Sequence, residues 1–237
     1  MRFECVSRTH PGLKRKVNED SVLVRSERGL WAVADGMGGH EAGDVASASV
    51  VDALALVPPH SLIDHFVADA IAALGMVNRQ LISLARSEAR ARTIGTTVVG
   101  LAIVDGRFGC FWAGDSRAYR VRQGEIAQLS RDHSLVQELM DAGMLDALEA
   151  EHHPNANVVT RAVGAAEDLR VDTSAGEARA GDLFLLASDG LTRVVNDDEL
   201  YSELSSTEPE AAADKLLDTV LARGAPDNVS FVIVRVG

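Results

Sequence analysis

The residues of this sequence whose types and spacing could do chemistry are acids standing where apolar runs end. Leu30-Trp31-Ala32-Val33-Ala34 runs into Asp35-Gly36-Met37-Gly38-Gly39, and Leu183-Phe184-Leu185-Leu186-Ala187 runs into Ser188-Asp189-Gly190. A buried strand that ends in Asp-Gly leaves the carboxylate at its tip and lets the backbone turn sharply beside it. One such pair is an ordinary turn. Its recurrence points to carboxylates converging on one place. Glu19 and Asp20 directly precede an apolar stretch, Asp115 and Asp132 flank strand-like segments, and Asp227 precedes the last hydrophobic run. Carboxylates held together repel one another, and a cation resolves the cluster. Oxygen donors without cysteine select hard ions, Mg²⁺ or Mn²⁺, over Zn²⁺. Gly36 has no side chain, so its carbonyl can approach such an ion closely. Two ions roughly 3.5–4 Å apart can acidify a shared water into a nucleophile. Arg15, in the same polar loop as Glu19 and Asp20, offers a planar fork for a phosphate. The set amounts to hydrolysis of a phosphate ester by direct attack of water. No Gly-rich loop ending in Lys-Ser/Thr occurs, and no Ser or Cys sits in a nucleophile elbow.

The elements that must position these residues are legible from periodicity. Residues 3–9 and 21–33 read as strands, with His10 to Asp20 a polar loop between them. Apolar positions recur at helical spacing from Ala42 to Leu56, where Pro58-Pro59 stops the helix. Ser61 reads as the N-cap of a long amphipathic helix reaching about Ala91. From Thr96 the period changes: strands 96–104, 107–113, 118–122 and 126–129 form an antiparallel meander with turns at Asp105-Gly106 and Gln123-Gly124. Arg131 to Ser134 opens a helix that stops near Gly143; residues 144–157 read as an irregular surface segment, and 158–163 as a short helix ended by Gly164. Strands follow around 169–176 and 182–188, Asn196 caps an acidic turn, Pro209 opens a helix to about Arg223, and Val229 to Val236 is the last strand. Nothing linker-like or repeated divides the chain, so one domain spanning 1–237 is expected. Strand groups separated by long helices predict an α+β fold, a β-sandwich of two antiparallel sheets with helices outside.

Composition narrows the partners. The net charge of −12 argues against nucleic acid, whose phosphates demand lysine and arginine patches. No uninterrupted apolar run approaches the ~20 residues that span a bilayer, and Met1 to Cys5 carries no apolar leader, so a cytoplasmic protein without membrane contact is expected. Cys5 and Cys110 lie in strand-like apolar contexts and read as two reduced, buried thiols.

Six motifs stand in order along the chain: Gly12…Arg15…Asn18-Glu19-Asp20, Ala34-Asp35-Gly36-Met37-Gly38-Gly39, Gly95-Thr96-Thr97, Gly114-Asp115-Ser116-Arg117, Ser188-Asp189-Gly190 and Pro226-Asp227-Asn228. This succession resembles the metal-dependent protein phosphatases of type 2C in their compact bacterial form, over essentially the whole sequence. The resemblance implies a sandwich layered α-β-β-α and a centre of two Mn²⁺ or Mg²⁺ ions, with a third often held in bacterial members. It implies that Asp35 bridges the ions, that the Gly36 carbonyl and Glu19 serve one of them, and that Asp20 supports bound water. Asp189 and Asp227 would complete the other ion's shell, and Arg15 would bind the substrate phosphate. Asp115 with Asp189 would take a third ion, Asp132 being a weaker candidate, and residues 134–163 would form a flap beside the site. The implied activity is phosphoserine/phosphothreonine protein phosphatase, acting as a monomer on phosphorylated proteins and reversing a bacterial Ser/Thr kinase. Met37 departs from the eukaryotic pattern, which places a histidine after Asp-Gly. His40 and His133 stand near the motifs and read as structural, leaving a water at the ions to protonate the leaving oxygen. Two rival readings are an inactive phosphoprotein-binding relative and a hydrolase of small phosphate esters; the flap favours protein substrates over the latter.

Overall fold

A computed structural model of the chain describes residues 1–38, 42–87 and 93–237, the side chain of Glu151 apart. Gly39 and His40 lie outside the described residues, as does the expected end of the long helix beyond Ser87. Two antiparallel sheets face each other. One has five strands in the order β1 (Phe3–His10), β11 (Val229–Val236), β10 (Leu183–Ala187), β7 (Arg117–Arg122) and β8 (Glu125–Gln128). The other runs β2 (Asp20–Arg25), β3 (Leu30–Met37), β5 (Val98–Val104), β6 (Arg107–Ala113) and β9 (Asp172–Glu177), with the short β4 (Gly95–Thr96) paired to the tip of β3. The two-residue period of a strand decides which face each side chain takes. In β3, Leu30, Ala32 and Ala34 face the outer helices, while Trp31 and Val33 face the opposite sheet. Val99, Leu101, Phe108, Phe184, Leu186, Val232 and Val234 fill the rest of that inner layer.

Helices α1 (Ala42–Ala55) and α2 (Ile63–Ser87) cover the second sheet. Phe66, Ala70, Leu74, Val77 and Leu81 of α2 are buried there, each large side chain contributing about 1.5–3 kcal/mol of burial. By length and composition alone α2 could also cross a membrane, although one of its faces serves this core. Helices α6 (Asp197–Ser206) and α7 (Pro209–Ala222) cover the first sheet through Leu200, Leu204, Leu216 and Val220.

Several local expectations are corrected. The run 21–33 is a hairpin, broken by a 3-10 turn at Ser26–Arg28 that Gly29 closes at φ 66°. The backbone does not turn at Asp35-Gly36: β3 continues to Met37, because Gly36 and Met37 find partners in Thr96 and Gly95. The long helix begins at Ile63, two residues past the expected cap. Residues 144–157 hold a helix, α4 (Ala147–Glu151), started by a capping box between Asp146 and Glu149. Residues 158–163 are extended instead of helical; Val159 bridges to Ser134 and Val163 to Thr96. Their β-branched side chains suit that conformation, and tertiary pairing decides it. The acidic turn after Asn196 is the first turn of α6, ten residues long, again with a capping box. Cys5 and Cys110 are both free thiols; burial pushes the Cys110 thiol up to about 12.

Candidate metal centre

The inner layer of the sandwich becomes acidic at one end. Asp20 and Asp35 are opposite one another in the β2–β3 register. Each shares the strand face of inner-layer residues, Val22 in one strand and Trp31 and Val33 in the other. Ser188 follows β10 and Ser230 lies on β11; the Ser230 N–H donates to Ser188 Oγ at 3.0 Å, and Ser188 Oγ donates to Asp20 Oδ2 at 3.0 Å. Asp189 then opens the short helix α5 (Asp189–Thr192). Asp115 stands in the crossing from β6 to β7, which joins the two sheets, and Asp227 sits just before β11.

Asp35 is the focus. Burial first, and then repulsion from Asp20, Asp189, Asp115 and Asp227, holds its carboxyl well above the ordinary carboxylate range. Asp20 is raised to about 7, mainly by burial. Asp115 is raised to about 6, by burial and then by Asp189. Asp189 is raised by burial, with Arg193 opposing. Oδ1 of Asp20 and Oε1 of Glu19 are buried with no hydrogen-bond partner. Buried oxygen atoms left without donors, on mutually repelling acids, are what a hard divalent ion satisfies. The residues present therefore fit Mg²⁺ or Mn²⁺. Among the described residues no three acids are already closed into a ligand cage. Two guanidinium groups occupy some of their oxygens: Arg15 pairs with Asp227 Oδ2 at 2.7 Å, and Arg193 pairs with Asp189 Oδ2 at 2.8 Å and Asp115 Oδ2 at 3.0 Å.

The backbone around Asp35 is fixed on both sides. Its N–H donates to Thr97 Oγ1 at 3.2 Å, its carbonyl accepts from Thr97 N and Thr96 Oγ1 at 2.9 Å each, and Thr97 Oγ1 meets Ser116 Oγ at 2.7 Å. That is the work of the Gly95-Thr96-Thr97 motif. Gly36 lies so close to its neighbours that a Cβ there would fall 2.1 Å from the Gly43 carbonyl oxygen and 2.5 Å from that of Glu19. The contact seats the first turn of α1 against the β3 tip and brings Glu19 alongside. At Gly190 a Cβ would fall 1.8 Å from the Asn228 carbonyl oxygen, so the start of α5 packs directly on the Asp227 loop.

All the expected site residues, Arg15, Glu19, Asp20, Asp35, Gly36, Asp115, Asp189 and Asp227, fall at this end of the sandwich. Asp132 does not join them as a free ligand: Arg117 holds it from Nε and Nη2 at 2.7–3.0 Å. His133 is structural, as expected. Its Nδ1 accepts from Gly114 N at 3.2 Å and its Nε2 lies 3.0 Å from Asp172, while Trp112 stacks on the ring. Three contributors had no role assigned from sequence. Asn228 accepts from Glu19 N at 2.8 Å and donates to the Pro11 and Val17 carbonyls at 2.9 Å, tying the Arg15 loop to the Asp227 loop. Thr97 holds Asp35. Arg193 joins two of the acids; its only sequence signal is the spacing of four from Asp189 at a helix start. Beside the centre, a cavity of about 610 Å³ runs from Asp115, Asp189 and Arg193 beneath α3 (Leu135–Asp141) and α4 to Asn157 and Glu199.

Comparisons with known proteins match this arrangement. A family model described as "Protein phosphatase 2C" matches residues 13–228. The serine/threonine protein phosphatase PstP of Mycobacterium tuberculosis is 36% identical over 97% of this chain, which spans 44% of that relative's length. The protein phosphatase PhpP of Streptococcus pneumoniae is 36% identical over 95% of this chain and 94% of its own. Among solved structures, PppA, described as a key regulatory component of T6SS in Pseudomonas aeruginosa, superposes with a TM-score of 0.89 at 43% identity, covering 99% of this chain and 98% of that one. The catalytic domain of PstP in complex with two manganese ions superposes with a TM-score of 0.89 at 34% identity, covering 99% of both chains. A match across nearly the whole chain, on a fold that gathers those acids at one end of a two-sheet sandwich, places this protein in the protein phosphatase 2C family.

Proposed function

We propose that this chain is a metal-dependent phosphoserine/phosphothreonine protein phosphatase that acts as a monomer in the cytoplasm, opposite a Ser/Thr kinase, from a single domain spanning 1–237 with residues 134–163 as its flap. The observation that carries the proposal is the convergence of Asp20, Asp115, Asp189 and Asp227 on half-buried Asp35 beside the guanidinium of Arg15. Two Mn²⁺ or Mg²⁺ ions would be held by Asp35, Asp189, Asp227, the Gly36 carbonyl and Glu19. When bound, they supply an acidified water and offset the charge of the phosphate. Arg15 binds and orients the phosphate through its fork; its side chain is about half exposed, within reach of an incoming substrate. Phosphate binding would draw Arg15 from Asp227, exchanging one charge-assisted pair for another. Burial raises Asp20 to about 7 in the metal-free chain, and ions bound at Asp35 would favour its ionised form. Met37 has no titratable proton, and Gly114 N and Asp172 engage the two ring nitrogens of His133, so neither residue is placed to protonate the leaving oxygen.

The cavity beneath α3 and α4 supports a peptide substrate, since chain flanking the phosphorylated residue could lie there. Identity of 43% to PppA, described as a key regulatory component of T6SS, supports a signalling role over hydrolysis of small esters. Release of phosphate from a phosphothreonine peptide and from p-nitrophenyl phosphate tests the proposal, with Mn²⁺, with Mg²⁺ and after chelation. Turnover that needs the metal and stops with the chelator is expected. No release with either ion would contradict the proposal and favour a phosphoprotein-binding module.

A further inference from the structure

Arg193 stands one helical turn beyond Asp189, and its guanidinium makes three contacts that belong to three parts of the fold. Nε lies 2.8 Å from Asp189 Oδ2, at the end of the five-stranded sheet. Nη2 lies 3.0 Å from Asp115 Oδ2, in the crossing between the sheets, and donates to the Ala156 carbonyl at 3.1 Å, in the segment after α4. Asp115 is only 5% exposed, and Arg193 is the cation that opposes the repulsion it receives from Asp189 and Asp132. A guanidinium carries a permanent charge and several directional donors in one plane, so it can satisfy two carboxylates and a carbonyl at once.

We propose that Arg193 is a resident cation that takes the place between Asp115 and Asp189 where a third divalent ion would bridge them, so that the centre holds two ions and the flap is tied to it through Ala156. The inference rests on the metal-centre reading of Asp35 and its neighbours, and goes beyond it. A divalent ion bridging Asp115 and Asp189 would compete with Arg193 for their Oδ2 atoms and would stand beside its permanent positive charge, so the guanidinium disfavours an ion there. An ion there comes and goes with the metal supply; an arginine does not. The flap anchor at Ala156 is then independent of metal concentration. Arg193 acts as a positioning residue: it touches metal-binding acids and the flap backbone, not the reacting phosphate.

The test is the number of Mn²⁺ ions bound per chain, by equilibrium dialysis on the full chain, with proteolysis of the Mn²⁺-saturated protein as a second readout. Wild type is expected to bind two ions and Arg193→Ala three, or to show a weak third site tightened by about tenfold or more. Arg193→Gln, which keeps bulk and removes charge, should match the alanine variant; Arg193→Lys, which keeps a cation, should stay at two. Adding Asp115→Asn to Arg193→Ala should return the count to two. A Glu-specific protease should cut at Glu138 or Glu149 severalfold faster in Arg193→Ala than in wild type. Three ions in wild type, or the same count and affinity in wild type and both neutral variants, would overturn the proposal alone. A wild type that binds no Mn²⁺ would remove the metal-centre reading and this inference with it.

Discussion

Asp35 is half-buried among four other carboxylates, and its neighbours are arranged to keep it there. Charge in that position costs stability and serves only an ion, which makes the residue testable in two directions. Asp35→Asn and Asp189→Asn should each lower turnover by about two to three orders of magnitude or more, as losses of essential transition-state electrostatics do. In the metal-free protein Asp35→Asn should melt no lower than wild type, because the amide removes repulsion from Asp20, Asp189, Asp115 and Asp227. Calorimetry beside a phosphatase assay reads both; wild-type turnover in either variant would contradict the assignment. Arg15→Ala should mainly raise KM, by roughly 10–100-fold for a lost charge-assisted hydrogen bond, with kcat less affected. An unchanged KM would show that Arg15 is not the phosphate ligand. Asp35 and Asp189 were legible in the sequence because an apolar strand before Asp-Gly carries its own context. Asn228 and Arg193 were not: their partners, Glu19 for one and Asp115 and Ala156 for the other, come from distant parts of the chain. Local pattern holds no record of such contacts.

Elements whose period is strong were legible in the same way. The strands β5 to β8, the proline-started α7 and the closing β11 fall where alternation and helix signals put them, but the expected single meander is split: β5 pairs β6 in one sheet and β7 pairs β8 in the other. Where pattern was weak, tertiary pairing decided. Residues 158–163 have an apolar content that suits helix or strand, and bridges to Ser134 and Thr96 make them extended. Gly36 reads as a turn residue, yet β4 pairs with it and carries β3 onward to Met37. The link from α2 to the end of the flap is likewise tertiary. Asn78, 1% exposed, accepts from Gly164 N at 2.6 Å and donates to the Ala166 carbonyl at 2.9 Å. Asn78→Ala leaves buried backbone groups unpaired and should destabilise the protein by about 2–3 kcal/mol, read from denaturant unfolding. A change under 0.5 kcal/mol, roughly the range of a neutral surface substitution, would mean that the loop does not depend on Asn78.

For the molecule as a whole, the acidic end of the sandwich makes stability depend on pH and metal together. Asp20 at about 7 and Asp115 at about 6, with Asp35 and Asp189 also raised, hold protons in the folded chain that the unfolded chain gives up near pH 4. Their contribution to stability is therefore full below about pH 4 and lost as pH rises to about 7. The melting temperature of the metal-free protein should fall across pH 5 to 7.5. Saturating Mn²⁺ should reverse that slope, since it binds the ionised acids, and at a hundredfold excess over Kd it adds about 2.7 kcal/mol. At this chain length that is roughly 5–10 °C. A metal-free melting temperature that rises over the same window would contradict the cluster's raised pKa values. The α+β sandwich was legible because its strands and helices segregate along the chain; the coupling of its two sheets through one acidic rim required the fold. The most direct measurement is an anomalous difference map from a crystal of this protein soaked in Mn²⁺. Two peaks at the rim, both touching Asp35 and flanked by the Gly36 carbonyl on one side and Asp189 and Asp227 on the other, are the predicted result. No peak there, or ions bound only away from Asp35, would contradict the metal centre on which the account depends.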